Sequence, residues 1–170
     1  MAQSFDILQL KIALSLIPKV GPRLVRRLVA YAGGIEAVFK ERKRAFEKIP
    51  GIGAGKASFL NNFDKLLAEA EKEVEYINKN EIRPYFYLDK EYPVRLRECD
   101  DAPIIFYMKG KDVFNSSKII SVVGTRKASE YGRSATHQII EYLAANYPEL
   151  IVVSGLAYGI DITAHKAALK

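Results

Sequence analysis

The segment Ser154–Leu169 constrains the fold more than any other part of this 170-residue chain. It reads Ser-Gly-Leu-Ala-Tyr-Gly-Ile-Asp-Ile-Thr-Ala-His-Lys-Ala-Ala-Leu and directly follows the apolar run 150–153. An apolar run, then glycines, then helix-forming residues predicts a strand, a tight turn and a helix, which is the layout of an anion site at a helix N-terminus. Such a site needs further strands beside it, and we expect the chain to stop inside that fold.

A second segment of this kind lies upstream, in Val122-Val-Gly-Thr-Arg-Lys-Ala-Ser-Glu-Tyr-Gly132. It follows the apolar run 119–123 and leads into a helix predicted over 130–145, which gives a parallel strand–helix–strand unit with the run 150–153. Parallel strands end at the same sheet edge, so the two turns are expected to form one phosphate-binding pocket. The residues of this pocket are the glycines, the hydroxyls and two cations: Gly124, Thr125, Arg126, Lys127, Ser154, Gly155 and Gly159.

Two residues near the second turn are expected to have structural roles. We expect Asp161 to N-cap the helix that follows, with a direct ligand role as the open alternative. We expect His165 to be structural, because no partner for a proton shuttle is visible in the sequence.

The sequence also gives little indication of a cofactor. The first turn is not Gly-x-Gly-x-x-Gly, so ordinary dinucleotide binding has little support. Two scattered histidines and the single Cys99 argue against a zinc site, and we expect no cofactor.

The first half of the chain has a helical pattern and a concentrated positive charge. Residues 1–60 hold 11 Lys/Arg against 4 Asp/Glu, a net of +7, whereas residues 61–170 have a net charge of −1. Helices are predicted over 7–17, 23–31, 35–39, 44–48 and 54–79, and short strands follow over 85–88 and 104–108. The excess of cations predicts a polyanionic partner, although a solvated basic face fits the charge equally well.

Two stretches of this half resemble each other at an offset of 32 residues: 17–28 and 49–60. Both have an Ile-Pro pair, an aliphatic residue and a glycine, and they resemble the helix-hairpin-helix motif, in which uncovered amides meet a phosphate without reading bases. The candidate contacts are Lys19, Gly21 and Arg23 in the first hairpin and Gly51, Gly53 and Lys56 in the second. Two hairpins that only build a compact helical domain fit the same pattern.

Composition excludes several classes of protein. A charged content of 27% and the absence of a long apolar stretch predict a soluble protein with no membrane association. One cysteine cannot form an internal disulfide, and the N-terminus lacks a signal-peptide pattern, so a cytoplasmic location is expected.

The chain resembles the DNA processing protein A family, DprA or Smf. Four stretches carry the resemblance: Tyr92–Pro103 with the following 105–110, Val122-Val-Gly-Thr-Arg126, Ser154-Gly-Leu-Ala-Tyr-Gly-Ile-Asp161, and Ala164-His165 with Ala168-Leu169. The resemblance implies an α/β fold, with a helix-hairpin-helix or SAM-like helical domain over 1–82. The first part of an extended Rossmann-like parallel sheet is expected to follow over 83–170, truncated relative to the family.

The resemblance also implies a function. It predicts a non-enzymatic protein of natural transformation that binds and protects single-stranded DNA and helps to load the recombinase RecA, with Arg126 lining the DNA pocket. A homodimer is implied for the full-length family. Two alternatives stay open: a related Rossmann-like enzyme that cleaves nucleotides and releases free base, and a helix-hairpin-helix DNA repair module whose α/β part is only structural.

Overall fold

The computed structural model describes residues 6–40, 46, 49–52 and 63–169 of the chain. The chain divides into two compact units, Met1–Asp112 and Val113–Lys170. The predicted division into 1–82 and 83–170 does not coincide with this boundary, because Phe86 and Ile105 are buried in the same apolar cluster as the N-terminal helices. As a division into evolutionary domains it stays a prediction.

The first unit begins with three helices: α1 (Ile7–Ser15), α2 (Pro22–Ala32) and α3 (Ile35–Lys40). The Asp6 carboxylate caps α1 by accepting the Leu8 N–H at 3.1 Å. Pro22 opens α2, because its fixed φ suits a first helical position. Gly33 ends that helix in the left-handed region, at φ +84°.

Helix α4 (Phe63–Lys79) covers the C-terminal part of the helix predicted over 54–79, and it packs along α1. The start of that prediction lies outside the described residues, as does most of the helix predicted over 44–48. One apolar cluster joins all four helices, with side chains of each buried in it; Leu14, Leu28, Val38 and Leu66 are examples. Burial of this apolar surface is the main source of stability for the unit.

The two similar sequences adopt the same turn where both are described. The Val20 N–H donates to the Ile17 carbonyl at 3.4 Å, and the Ile52 N–H donates to the Ile49 carbonyl at 2.9 Å. Lys19 and Gly51 hold equivalent places and both have positive φ, +62° and +90°. The internal repeat is therefore a repeat of backbone conformation, and Lys19 adopts a left-handed geometry that a glycine adopts more easily.

A two-stranded antiparallel sheet completes the first unit. Strands β1 (Arg83–Phe86) and β2 (Ile105–Met108) pair with Tyr85 opposite Phe106, and their rings stack at 5.2 Å. The short helix α5 (Val94–Arg97) lies between them in sequence. Before it, the fully buried Tyr92 donates its hydroxyl to the Pro103 carbonyl at 2.6 Å.

The second unit is a strand–helix–strand–helix unit. It contains β3 (Ile119–Ser121), α6 (Glu130–Asn146), β4 (Ile151–Val153) and α7 (Ile160–Ala168). The strands pair in parallel, as the sequence predicts, and Ile120 lies opposite Val152. Its small core joins the helices to the sheet through Ile140, Ala164 and Ala167, against which Val122 and Val152 pack.

Within the described ranges, no helix combines the length and the apolar character that crossing a membrane requires.

Replacement of Tyr92 by phenylalanine tests the packing of the α5 region. The variant should lose about 1 kcal/mol of unfolding free energy at neutral pH, because the Pro103 carbonyl loses its donor. Burial raises the pKa of the Tyr92 hydroxyl. The hydroxyl therefore ionises first in the unfolded chain, and its contribution is complete below about pH 10 and is lost as the pH rises through the folded-state value.

Urea unfolding at neutral and alkaline pH measures this effect, with Tyr76→Phe as the control because Tyr76 is exposed. The difference between Tyr92→Phe and the parent should shrink at alkaline pH. Equal stability of the parent and Tyr92→Phe at neutral pH would contradict the assignment.

Candidate functional site

The parallel pairing of β3 with β4 brings the two glycine-rich turns together. The ladder continues past the strands, where the Val122 N–H donates to the Val153 carbonyl at 2.8 Å. Beyond it, the Ile160 N–H donates to the Thr125 carbonyl at 3.2 Å and ties the start of α7 to the turn after β3. We call residues 124–127 and 154–159 together the two-turn site.

Two glycines make this close approach possible. Gly159 has φ +88°, and a Cβ at that position would lie 2.2 Å from the Thr125 carbonyl oxygen and 2.8 Å from the Arg126 carbonyl oxygen. A Cβ on Gly124 would lie 2.6 Å from side-chain atoms of Ile160. Glycine is therefore required at both predicted positions, because a neighbouring segment occupies the space that a side chain would take.

The turn after β3 presents its two cations to solvent. The Thr125 hydroxyl accepts the Lys127 N–H at 3.2 Å, which closes the turn. The side chains of Arg126 and Lys127 are exposed, and neither has a hydrogen bond or ion pair within the described residues. Helix α6 begins shortly after them, capped by the Ser129 hydroxyl. The positive end of the helix dipole therefore adds to the field of the two cations.

The turn after β4 is held by its own polar groups. The Ser154 hydroxyl accepts the Leu156 N–H at 3.0 Å and lies 2.7 Å from Nε2 of His165 on α7. The non-glycine residue Leu156 has φ +53° within this turn. The bond to Ser154 agrees with the structural role expected for His165. A contact of Ser154 or of the exposed Gly155 with DNA stays a prediction.

The expected N-cap role of Asp161 is wrong. Gly159 occupies the N-cap of α7, and Asp161 lies in the first helical turn, because the bond to the Thr125 carbonyl starts the helix at Ile160. Asp161 is only 3% exposed; Oδ2 accepts the Ala157 N–H at 3.4 Å, and Oδ1 has no hydrogen-bond partner among the described residues. A buried carboxylate here already compensates the dipole of α7, so the positive charge of the site comes from residues 124–127.

The predicted hairpin residues belong to the first unit and are described by themselves. Gly21 is the N-cap of α2, and the exposed Lys19 and Arg23 flank that helix start. Gly51 packs against α2, where a Cβ would lie 3.1 Å from Cδ2 of Leu24. Gly53 and Lys56 lie outside the described residues. The structure thus brings the seven α/β candidates together in the second unit and three hairpin candidates to the start of α2.

Tyr158 is a further candidate residue, which the sequence motifs did not single out. Its side chain is 83% exposed, and it directly precedes Gly159, which lies against the backbone of Thr125 and Arg126. The sequence signal that could have identified this residue is an aromatic side chain inside a glycine-rich turn. The two-turn site therefore combines two cations with an aromatic ring.

Among the described residues, no group of three or more His, Cys, Asp or Glu side chains is arranged to hold a metal ion.

Substitution of Gly159 tests the contact that joins the turns. Gly159→Ala should lower the unfolding free energy by about 3 kcal/mol or more, because the new Cβ meets two backbone carbonyls at a positive φ. Gly155→Ala is the matched control, since its Cβ would meet only Oδ2 of Asp161, at 3.4 Å. Urea denaturation measures both variants. Similar small losses for the two would show that the turns are not in the described contact.

The family model of the DNA recombination-mediator protein A matches residues 83–170. The DNA processing protein DprA of Streptococcus pneumoniae is 43% identical over 84 residues, which cover 49% of this chain and 28% of that protein. Protein Smf of Synechocystis is 28% identical over 170 residues, with 94% of this chain and 40% of that protein covered.

Among solved structures, the X-ray structure of DprA from Streptococcus pneumoniae matches with a TM-score of 0.70 and 27% identity. The match covers 97% of this chain and 55% of that one. In the sequence comparisons the chain covers less than half the length of the two curated relatives. The matched model covers the whole of both strand–turn–helix motifs, and the chain belongs to the DNA recombination-mediator protein A family.

Proposed function

We propose that the two-turn site binds the backbone of single-stranded DNA. The observation that carries this proposal is the pair of exposed cations, Arg126 and Lys127, on a turn locked between two helix starts. Arg126 supplies a planar fork that fits two phosphate oxygens, and Lys127 adds a point charge.

The two kinds of side chain at the site suit a single strand. Contacts to phosphates carry no base information, so the proposed binding is independent of sequence. Tyr158 supplies a ring on which an unpaired base stacks, and such stacking tolerates any base. In duplex DNA the bases are already stacked on each other, so a ring of this kind favours a single strand.

The wider role follows the names of the relatives, which describe DNA processing and recombination mediation. We propose that the full-length protein protects incoming single strands during natural transformation and passes them to RecA in the cytoplasm, acting as a homodimer. Binding, without a catalytic step, is the proposed contribution of the two-turn site. These roles rest on the resemblance of the four sequence stretches to the family.

Removal of the arginine fork tests the proposed backbone contact. Arg126→Ala should weaken binding to a short oligothymidylate about ten- to a hundredfold, the range for hydrogen bonds to a charged group. Arg126→Lys should bind with intermediate affinity, since it keeps the charge and loses the fork. Fluorescence anisotropy at fixed salt measures both. Lys166→Ala is the control, because Lys166 is an exposed cation at the other end of α7.

The comparison of these variants decides the assignment of Arg126. If Arg126→Ala binds like Lys166→Ala while the parent binds DNA, Arg126 does not contact the backbone. If the parent itself does not bind, the two-turn site of this chain is not a DNA site.

The stacking role of Tyr158 gives a separate expectation. Tyr158→Ala should weaken binding to oligothymidylate about tenfold, and Tyr158→Phe should bind within about twofold of the parent, because the ring alone provides the stacking. Folding should be unaffected in both, since the side chain is largely exposed. Quenching of tyrosine fluorescence on DNA addition is an independent readout. Equal affinity of the alanine and phenylalanine variants would remove Tyr158 from the site.

A further inference from the structure

The outer face of α2 carries a line of exposed basic and aromatic side chains. Arg23, Arg27 and Tyr31 follow one another at intervals of four residues, and Lys19 continues the same interval in the turn before the helix. Residues four apart on a helix lie on one face, about 6 Å from each other. Arg23 and Tyr31 are therefore about 12 Å apart along the helix axis. We call Lys19, Arg23, Arg27 and Tyr31 the basic row.

The packing of α2 explains why this row faces outward. Val25, Leu28 and Val29 are buried on the opposite side of the helix, in the core of the first unit. Lys19, Arg23 and Arg27 are exposed, and the Tyr31 side chain is 54% exposed. The spacing of apolar and basic residues in the sequence gives α2 one apolar and one basic face. When the apolar face packs on the core, the basic row faces solvent.

The third arginine of α2 is held differently. The Arg26 guanidinium donates to the Ala102 carbonyl at 3.2 Å and lies 5.0 Å from the centre of the Tyr87 ring. This arginine packs α2 against the segment around residue 102, so its charge has a structural use. Of the cations in the basic row, Arg27 makes a comparable bond to a backbone carbonyl, that of Pro50, but it is exposed and has no aromatic ring stacked on it in the described part of the chain.

The bonds that the basic row does make are weak or leave its charge uncompensated. Arg23 lies 3.8 Å from the Asp100 carboxylate, with both side chains highly exposed, and such a pair contributes little in water. The exposed Arg27 donates to the Pro50 carbonyl at 3.2 Å, which fixes the row beside the second hairpin turn and keeps its full positive charge. Lys19 has no ion pair among the described residues.

We propose that the basic row is a second binding surface for single-stranded nucleic acid, separate from the two-turn site. The three cations contact successive phosphates, and the Tyr31 ring stacks on a base. A line of cations with an exposed aromatic residue matches the chemistry by which proteins hold single strands without sequence preference. The location of the whole charge excess in the first 60 residues supports a polyanion as the partner. This proposal does not depend on the two-turn site.

The test compares charge removal on the basic row with equal charge removal elsewhere. The variant Lys19→Ala/Arg23→Ala/Arg27→Ala is compared with Lys65→Ala/Lys72→Ala/Lys79→Ala, three exposed lysines of α4. Binding of the full chain to fluorescent oligothymidylate is measured over a range of salt concentrations. Loss of three phosphate contacts should reduce the slope of log K against log salt by about 2, since each contact on a single strand contributes about 0.7.

The control variant should keep the parent slope. The proposal is overturned if the basic-row variant has the same slope as the parent, or if the slope of the α4 variant falls by as much as that of the basic-row variant. Arg126→Ala in the same experiment separates the two proposals: it removes the two-turn contact and leaves the contribution of the basic row. A parent that binds duplex DNA and no single strand would overturn the choice of partner.

Tyr31 gives a readout that does not depend on charge. Tyr31→Ala should lose ultraviolet crosslinking to oligothymidylate at this helix and weaken binding about tenfold, and Tyr31→Phe should keep the affinity. A crosslinked parent peptide that does not contain residues of α2 would contradict the row as the contact. Circular dichroism of all variants confirms that each remains folded.

Discussion

The contact of Gly159 with the backbone of Thr125 and Arg126 determines the geometry of the second unit. The two chain segments, which α6 and β4 separate in sequence, approach each other there so closely that no side chain fits between them. The Ile160 N–H donates to the Thr125 carbonyl at 3.2 Å. This bond sets where α7 begins and holds the turn that presents the two cations. Without it, the exposed pair would lie on a free loop and lose the fixed position that a phosphate site needs.

The same contact explains why the positive charge of the site is asymmetric. Asp161 is buried in the first turn of α7, so a carboxylate occupies the place that an anion takes at many helix starts. The start of α6 carries Arg126 and Lys127 shortly before its N-cap instead. The two turns therefore differ in charge: the first presents two exposed cations, and the second leads into a helix start that holds a buried carboxylate.

Local patterns in the sequence predicted most of the elements and the meeting of the two turns. The parallel pairing of 119–121 with 151–153 followed from apolar runs around a helix, since periodicity and turn residues are local properties. The N-cap of α7 was mispredicted because it depends on a carbonyl from a distant segment. The burial of Phe86 and Ile105 with the helices, and the exposure of Tyr158, are likewise set by tertiary packing, which no local pattern contains.

The most direct test of this account is an amide NMR titration of the chain with oligothymidylate. If the locked turns form one DNA-binding site, the amides of residues 124–127 and 154–159 should shift together and with the same apparent affinity. In Gly159→Ala, where the contact is broken, these shifts should be lost even with the oligonucleotide in excess. Shifts confined to other residues of the parent chain, or unchanged binding at the turns in Gly159→Ala, would contradict the central claim.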